Sequence, residues 1–383
     1  MQTEFQNRIK RVQNAINQQQ ADACIITTAV NQFYLFGFIF DGYGYISPDG
    51  EPILFVKRPE SIENATYIRK PEQIPDFLRE RELPLPKKVL VEADSMTLNN
   101  ALRLQNALES PQFLNASGIM REIRSVKSEY ELDQMRQSAQ IQAEVYRLIP
   151  SLYKKGITDV LFQAAVEYEM RQRGSLGIFR AFGDNMDIFM GSVLAGDNAQ
   201  EPSAFDFSMG GAGISPYLPI GASGVSLEDG MTIMFDMAGN YTPYQSDMTR
   251  TFAIGEVDKK AYDAHQVSIE MNDWISHNVK PGTSCADIYH YSLETAKKYN
   301  LDPYFMGTKQ QAKFVGHGIG LEINEPPVMT PRSKEVLLPN VAFAYEPKFV
   351  LPGIGAVGIE NTFIVTENGV EKVTLCEEKM VRL

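Results

Sequence analysis

Cysteine, histidine and tryptophan are scarce in this chain, at three, four and one in 383 residues. Cys24, Cys285 and Cys376 are few and far apart, so neither a disulfide framework nor a thiolate metal site is suggested and the expected reading is buried thiols. Long apolar runs are missing too. None approaches the roughly 18 residues that read as a bilayer span, and the opening Met-Gln-Thr-Glu-Phe-Gln-Asn-Arg-Ile-Lys is polar with a helical pattern. Basic clusters are also absent: acidic residues outnumber basic ones 48 to 36, for a formal charge of −12. No stretch is built to neutralise phosphates, so nucleic acid is not an expected partner. The expectation is a cytoplasmic globular protein with no membrane partner.

What is present is enough length for two cores. Phe5, Ile9, Val12 and Ile16 share one helical face. Apolar runs at 23–28, 43–46, 53–56 and 89–91 read as strands between polar and helical stretches, predicting a mixed α/β domain of about 120 residues. The pattern changes near Ser125. Ser128 and Glu131 form a capping box ahead of a long amphipathic helix, so the chain divides into domains 1–122 and 123–383. Further helices are predicted over 158–173, stopping at Gly174, and around 259–277 and 284–299. His265, His277 and His290 fall in these helices and read as surface or core histidines rather than ligands.

Two strand-like runs, Gly-Met-Thr-Ile-Met-Phe-Asp-Met-Ala (230–238) and Ser-Asp-Met-Thr-Arg-Thr-Phe-Ala-Ile (246–254), flank a Gly-Asn-Tyr-Thr-Pro-Tyr loop and predict a hairpin. Opposed residues of such a hairpin keep a constant sum of numbers, so a loop centred on Tyr241 and Thr242 sets Asp236 directly against Asp247. Opposed Cβ atoms lie about 5 Å apart, where like charges destabilise unless a proton or a cation intervenes. Alone, the pair reads equally well as one aspartate solvated in the turn.

The same relation about a turn at Pro352-Gly353 opposes Glu346, ending Val-Ala-Phe-Ala-Tyr-Glu-Pro, to Glu360 in Val-Gly-Ile-Glu-Asn-Thr-Phe-Ile-Val. Between the two pairs stands His317, in Gly-His-Gly-Ile-Gly, whose glycines permit close backbone approach. Four carboxylates and one imidazole exceed the needs of one ion and suit two divalent ions about 3.5–4 Å apart. A donor set that is mostly oxygen favours Mn²⁺, with Co²⁺, Fe²⁺ or Zn²⁺ as alternatives. Gly353, Gly355 and Gly358 match a dinucleotide-binding spacing, but a strand run follows rather than a helix, so the match reads as chance. The Met-Gly-Gly-Ala-Gly run at 209–213 reads as an active-site loop rather than a phosphate cradle.

Phe-Asp-Met-Ala-Gly-Asn-Tyr with Ser-Asp-Met-Thr-Arg-Thr-Phe, then Gly-His-Gly-Ile-Gly, Tyr-Glu-Pro and Ile-Glu-Asn-Thr follow one another in an order and spacing that resemble one family. It is that of creatinase, prolidase and methionine aminopeptidase, the pita-bread metallopeptidases, and the likeness covers nearly the whole chain. The resemblance implies an α+β protein: a C-terminal pita-bread catalytic domain preceded by a smaller α/β creatinase/prolidase-type domain. That first domain points to an Xaa-Pro aminopeptidase or dipeptidase rather than a plain methionine aminopeptidase. Residue by residue, the implied metal ligands are Asp236, Asp247, His317, Glu346 and Glu360, with Glu346 also handling the proton of the nucleophile. A small peptide substrate and a homodimer are implied as well.

Three positions depart from the family. Asn324 stands seven residues after His317, where most members carry a histidine. Ser203 closes Gly196-Asp-Asn-Ala-Gln-Glu-Pro202 where another histidine is usual, and Gly358 takes the place of a prolidase-type arginine. Asn324 is still expected to donate to the substrate carbonyl, though an amide cannot carry a proton. Ser203 is expected in the substrate pocket, and Tyr244, near the aspartate hairpin, either reaches the substrate or packs. The leading reading is a metallopeptidase acting at Xaa-Pro bonds. A hydrolase of another small amide or amidine, and a non-catalytic metal-binding protein, are the alternatives.

Overall fold

The computed structural model describes residues 2–183, 189–205 and 207–383. The chain forms two compact units, Met1–Arg124 and Ser125–Leu383. In the first, the short apolar runs become strands of one sheet. Its members are β1 (Ala23–Ile26), β2 (Asp41–Ile46), β3 (Ile53–Arg58), β4 (Thr66–Tyr67), β5 (Lys88–Val91) and β6 (Gln112–Asn115), in the order β4-β3-β2-β1-β5-β6. β1 runs antiparallel to β2 and parallel to β5, so the sheet is mixed. Helices α1 (Gln2–Gln18), α2 (Ala29–Phe36), α3 (Ile74–Glu80), α4 (Leu98–Ala107) and α5 (Ser117–Ser125) alternate with the strands. Ile25, Phe55, Leu78, Val89 and Leu104 meet in the core.

The second unit opens with α6 (Glu129–Leu152), where Ser128 and Glu131 form the predicted capping box: each side chain accepts from the other's backbone N–H. α7 (Asp159–Gln172), α8 (Lys259–Asn278) and α9 (Cys285–Lys298) follow the three remaining helical patterns. His265 is buried in α8, while His277 and His290 are exposed. Strands β7 (Gly191–Ala195), β8 (Thr232–Gly239) and β9 (Ser246–Ala253) pack against α6 and α7 through Tyr146, Phe162, Phe235, Met248 and Phe252. A second sheet, ordered β11-β10-β12-β15-β16, joins β10 (Gly316–Gly318), β11 (Glu325–Val328), β12 (Ala342–Tyr345), β15 (Asn361–Val365) and β16 (Val370–Lys372). Between β12 and β15 in sequence, β13 (Lys348–Leu351) and β14 (Gly355–Gly358) form a hairpin. Ile288, Phe343, Phe349 and Phe363 belong to the core these strands share with α8 and α9. Among the described residues, no helix is long and apolar enough to cross a membrane.

The two predicted hairpins form, and one is out of the expected register. Asp236 faces Thr249 and Asp247 faces Ala238, so the direct opposition of the two aspartates is wrong by two residues. The reason lies in the loop. Ser138 of α6 accepts from the Thr242 N–H (3.1 Å) and donates to the Tyr244 carbonyl (2.8 Å), which folds 240–245 around it and lets the ladder reach Gly239 and Ser246. The aspartates still share a face, as diagonal neighbours. In the other hairpin, Lys348 pairs with Gly358 and, beyond it, Tyr345 pairs with Asn361, so Glu346 and Glu360 fall opposite each other between the two ladders.

Candidate metal centre

The two hairpins meet through β9. Thr249 bridges to Glu360, its hydroxyl donating to Glu360 Oε2 at 2.8 Å while its carbonyl accepts from the Glu360 N–H at 3.2 Å. Thr362 completes the seam: its hydroxyl accepts from Asp247 N (2.8 Å) and donates to Asp247 O (2.9 Å). Behind them, the buried Arg250 guanidinium donates to the Thr249 and Glu360 carbonyls and to Asn361 Oδ1. Tyr146 of α6 donates to the Met248 carbonyl at 2.6 Å and ties down the strand that carries Asp247. Backbone carbonyls and hydroxyls therefore fix the Glu360 carboxylate and the backbone that carries Asp247 before any ion is considered.

His317 comes from β10, pressed between β11 and β12. A Cβ on Gly318 would lie 2.0 Å from the Pro326 carbonyl oxygen, so only glycine allows that approach. The imidazole Nδ1 lies 3.0 Å from the Gly318 carbonyl, which assigns the proton to Nδ1 and leaves Nε2 as an acceptor. Nε2 is 3.5 Å from Glu346 Oε1 and 3.9 Å from Asp247 Oδ2.

Two trios of donors result, Asp247/His317/Glu360 and Asp236/Glu346/Glu360, and in each the donor atoms lie within 4.8 Å of one another. All five residues singled out in the sequence are thus gathered. Burial raises the Asp247 carboxyl well above its usual range, with Asp236 and Glu346 adding to the shift. Burial raises Glu360 likewise, helped by Asp247 and Glu346. Such carboxyls need a cation to ionise together.

One cation is built into the chain. Lys348, wholly buried, places Nζ 2.7 Å from Asp236 Oδ2, 2.7 Å from Glu346 Oε2, 3.0 Å from Glu360 Oε2 and 3.2 Å from Ser208 Oγ. Desolvation opposes its charge, but the three carboxylates outweigh that and hold its pKa well above the ordinary lysine value. Lys348 was not among the residues expected in the site. Its sequence signal is the spacing in Glu346-Pro-Lys348: alternate residues of a strand share a face, so the lysine follows the glutamate inward. Across the ladder Gly358, at φ +138, makes room, since a Cβ there would lie 2.7 Å from the Pro347 carbonyl oxygen and 3.0 Å from Lys348 Cα.

The three residues expected near the substrate occupy different surroundings. Both ends of the Asn324 amide engage the backbone of Phe182: Oδ1 accepts from its N–H (2.8 Å) and Nδ2 donates to its carbonyl (2.7 Å). Ser203 lines a cleft of about 430 Å³ with Ser208, Phe207, Lys313 and Phe314. Its hydroxyl donates to the Pro219 carbonyl and accepts from the Phe205 N–H. The cleft adjoins the centre, for Ser208 touches Lys348 and the Phe314 ring stands edge-on to His317 at 6.3 Å. Tyr244 is 2% exposed, packed in the hairpin loop.

Comparison with known proteins fits this layout. Residues 133–367 match the profile of Metallopeptidase family M24, and residues 8–126 that of the Creatinase/Prolidase N-terminal domain. The chain belongs to metallopeptidase family M24. Membership implies divalent metal, and the Asp247/His317/Glu360 trio, with Nε2 turned towards it, fits such an ion. A peptidase of Staphylococcus aureus (strain USA300) whose function is uncharacterized is 26% identical over 97% of this chain and 99% of its own. Among solved structures, an Xaa-Pro dipeptidase from Bacillus anthracis superposes with a TM-score of 0.82 at 23% identity, covering 99% of this chain and 100% of that one. An X-Pro aminopeptidase from Thermotoga maritima gives 0.80 at 21%, covering 98% and 99%. These confirm the pita-bread fold with its α/β N-terminal domain.

Proposed function

We propose that this M24 protein is a metal-dependent exopeptidase acting at Xaa-Pro bonds, releasing the N-terminal residue of a peptide or splitting an Xaa-Pro dipeptide. The observation that carries the reading is the convergence of Asp236, Asp247, His317, Glu346 and Glu360, from two hairpins and β10, onto one centre beside a cleft. The Xaa-Pro class comes from the structural neighbours, which include dipeptidases, prolidases and an aminopeptidase. A cleft of about 430 Å³ is within the range that holds a small ligand.

Asp247, His317 and Glu360 would hold the ion, and the oxygen-rich donor set favours Mn²⁺ over Co²⁺, Fe²⁺ or Zn²⁺. When bound, such an ion polarises a carbonyl and makes water acidic enough to react at neutral pH. Glu346 takes the role of proton acceptor and donor: Oε1 faces His317, while Oε2 is held by the Lys348 ammonium. Thr249 and Arg250 orient Glu360, and the glycine-flanked His317 is locked in one tautomer. A different small amide or amidine is the second reading, favoured because Asn324 and Ser203 spend their polar groups on backbone rather than on the cleft. A dimer and a cytoplasmic location complete the proposal.

The test is to strip the protein of metal, load it with Mn²⁺, Co²⁺ or Zn²⁺, and assay dipeptides and longer peptides with and without proline in second position. Cleavage confined to Xaa-Pro bonds and dependent on metal is expected. Turnover only on other amides would select the second reading.

A further inference from the structure

The family likeness leads one to expect two ions in this centre, and its five donors would suffice for them. The structure fills part of that space with a side chain. We infer that the Lys348 ammonium stands in place of one of the two ions, so that each chain binds a single divalent ion, at the Asp247/His317/Glu360 trio. This deepens the proposed function and rests on its premise that the centre takes divalent metal.

Three observations carry the inference. The three carboxylates that contact Nζ, from Asp236, Glu346 and Glu360, are the same three that make up the second trio. An ion among those oxygens would need each at about 2.0–2.2 Å, and the ammonium already occupies the point from which all three are reached, at 2.7–3.0 Å. The lysine also has no solvent route by which to withdraw: its side chain is 0% exposed. Finally, its approach is matched from the facing strand. Gly358 pairs with Lys348 and leaves its own side of the ladder bare.

The first trio is different. Among the described residues, the ion pairs of Asp247 are with His317, not with a lysine or arginine; His317 turns Nε2 towards Asp247 and Glu346, and Asp247 makes its hydrogen bonds to Thr362 through its backbone atoms. Glu360 is shared, with Oε2 facing the ammonium. One ion and one ammonium thus divide between them the charge-neutralising task that two ions would perform. The ammonium brings a single positive charge and hydrogen-bond donors in place of a Lewis acid.

The test counts ions rather than turnover. Metal-stripped full-length protein is titrated with Mn²⁺, bound metal is counted by elemental analysis, and the bound ion is examined by electron paramagnetic resonance. Wild type should bind one ion per chain with the six-line signal of an isolated Mn²⁺. Lys348→Met, of similar length but uncharged, should rise to two ions per chain with the spectrum of a coupled pair. Two ions in wild type would overturn the inference and leave the peptidase reading standing. One ion in both proteins would also overturn it, because the lysine would not be what excludes the second. No bound ion in either would overturn the inference and the metallopeptidase reading together. Should Lys348→Met not fold, the wild-type count and spectrum still decide, and Lys348→Arg, which keeps the charge, should stay at one.

Discussion

The two trios share Glu360 and sit side by side, yet they solve the same electrostatic problem differently. In Asp236/Glu346/Glu360 the repulsion among carboxylates is relieved from within the chain, by ion pairs to a lysine two residues from one of them. In Asp247/His317/Glu360 it is left for something that binds. Burial first, and the neighbouring Asp236 and Glu346 after it, raise the Asp247 carboxyl well above its usual range there. The difference teaches that a complete set of ligands, read by residue type, does not fix how many ions a centre takes, since a neighbouring cation can satisfy half of it.

The sharpest way to break the comparison is to remove a residue from the ion side alone. Asp247→Ala should abolish metal binding and lower metal-dependent hydrolysis by more than about 10³-fold, because the ion's contribution to the barrier is several kcal/mol. The ammonium side should stay folded. Retained metal and activity would mean that the ion sits elsewhere.

On the other side, Lys348→Met should destabilise the metal-free protein by about 3–5 kcal/mol, the usual cost of removing one partner from a buried ionic group. Mn²⁺ should restore most of that loss. Urea unfolding with and without metal reads both numbers, and a loss that metal cannot recover would show the lysine to be packing rather than charge compensation.

How much of this was legible follows from the local physics of each hairpin. The Glu346–Glu360 register was correct because a short turn at Pro352-Gly353 admits few alternatives. The Asp236–Asp247 register was off by two because Ser138, about a hundred residues upstream in sequence, decides how 240–245 folds, and no local pattern encodes that contact. The helices were visible through caps such as Ser128, Thr158 and Ser284. β4 and β6 were not, being short and without apolar runs. Lys348 was legible in principle, from strand alternation. The pairing of Asn324 with Phe182 was not, since it joins segments far apart in the chain.

His265 lies behind the ammonium side, donating from Nε2 to the Glu378 carbonyl (2.7 Å) and accepting at Nδ1 from the Gly358 N–H (3.2 Å). Burial pushes its pKa down to about 4. The unfolded chain, with an ordinary value near 6.5, therefore takes up the proton first as pH falls, so this group's stabilisation is whole above about pH 6.5 and is lost on acidification towards 4. The total is about 3 kcal/mol. In His265→Gln, the dependence of unfolding free energy on pH between 4.5 and 6.5 should be shallower than in wild type by up to one proton. Equal slopes would show that the fold does not lower the pKa of His265.

The smallest effect is expected outside both trios, at Asn324, and it tests whether the contrast is confined to them. Asn324→Ala removes two hydrogen bonds to the Phe182 backbone, at 2.8 and 2.7 Å, worth about 1–2 kcal/mol together. If the amide serves as a clamp, exchange of the Phe182 N–H should quicken by about 5–30-fold, while the number of bound Mn²⁺ ions stays as in wild type. If Asn324 instead meets the substrate carbonyl, the larger change should fall on hydrolysis, by about 10²-fold or more, with Phe182 still protected. The two outcomes separate a residue that shapes the wall of the site from one that works within it.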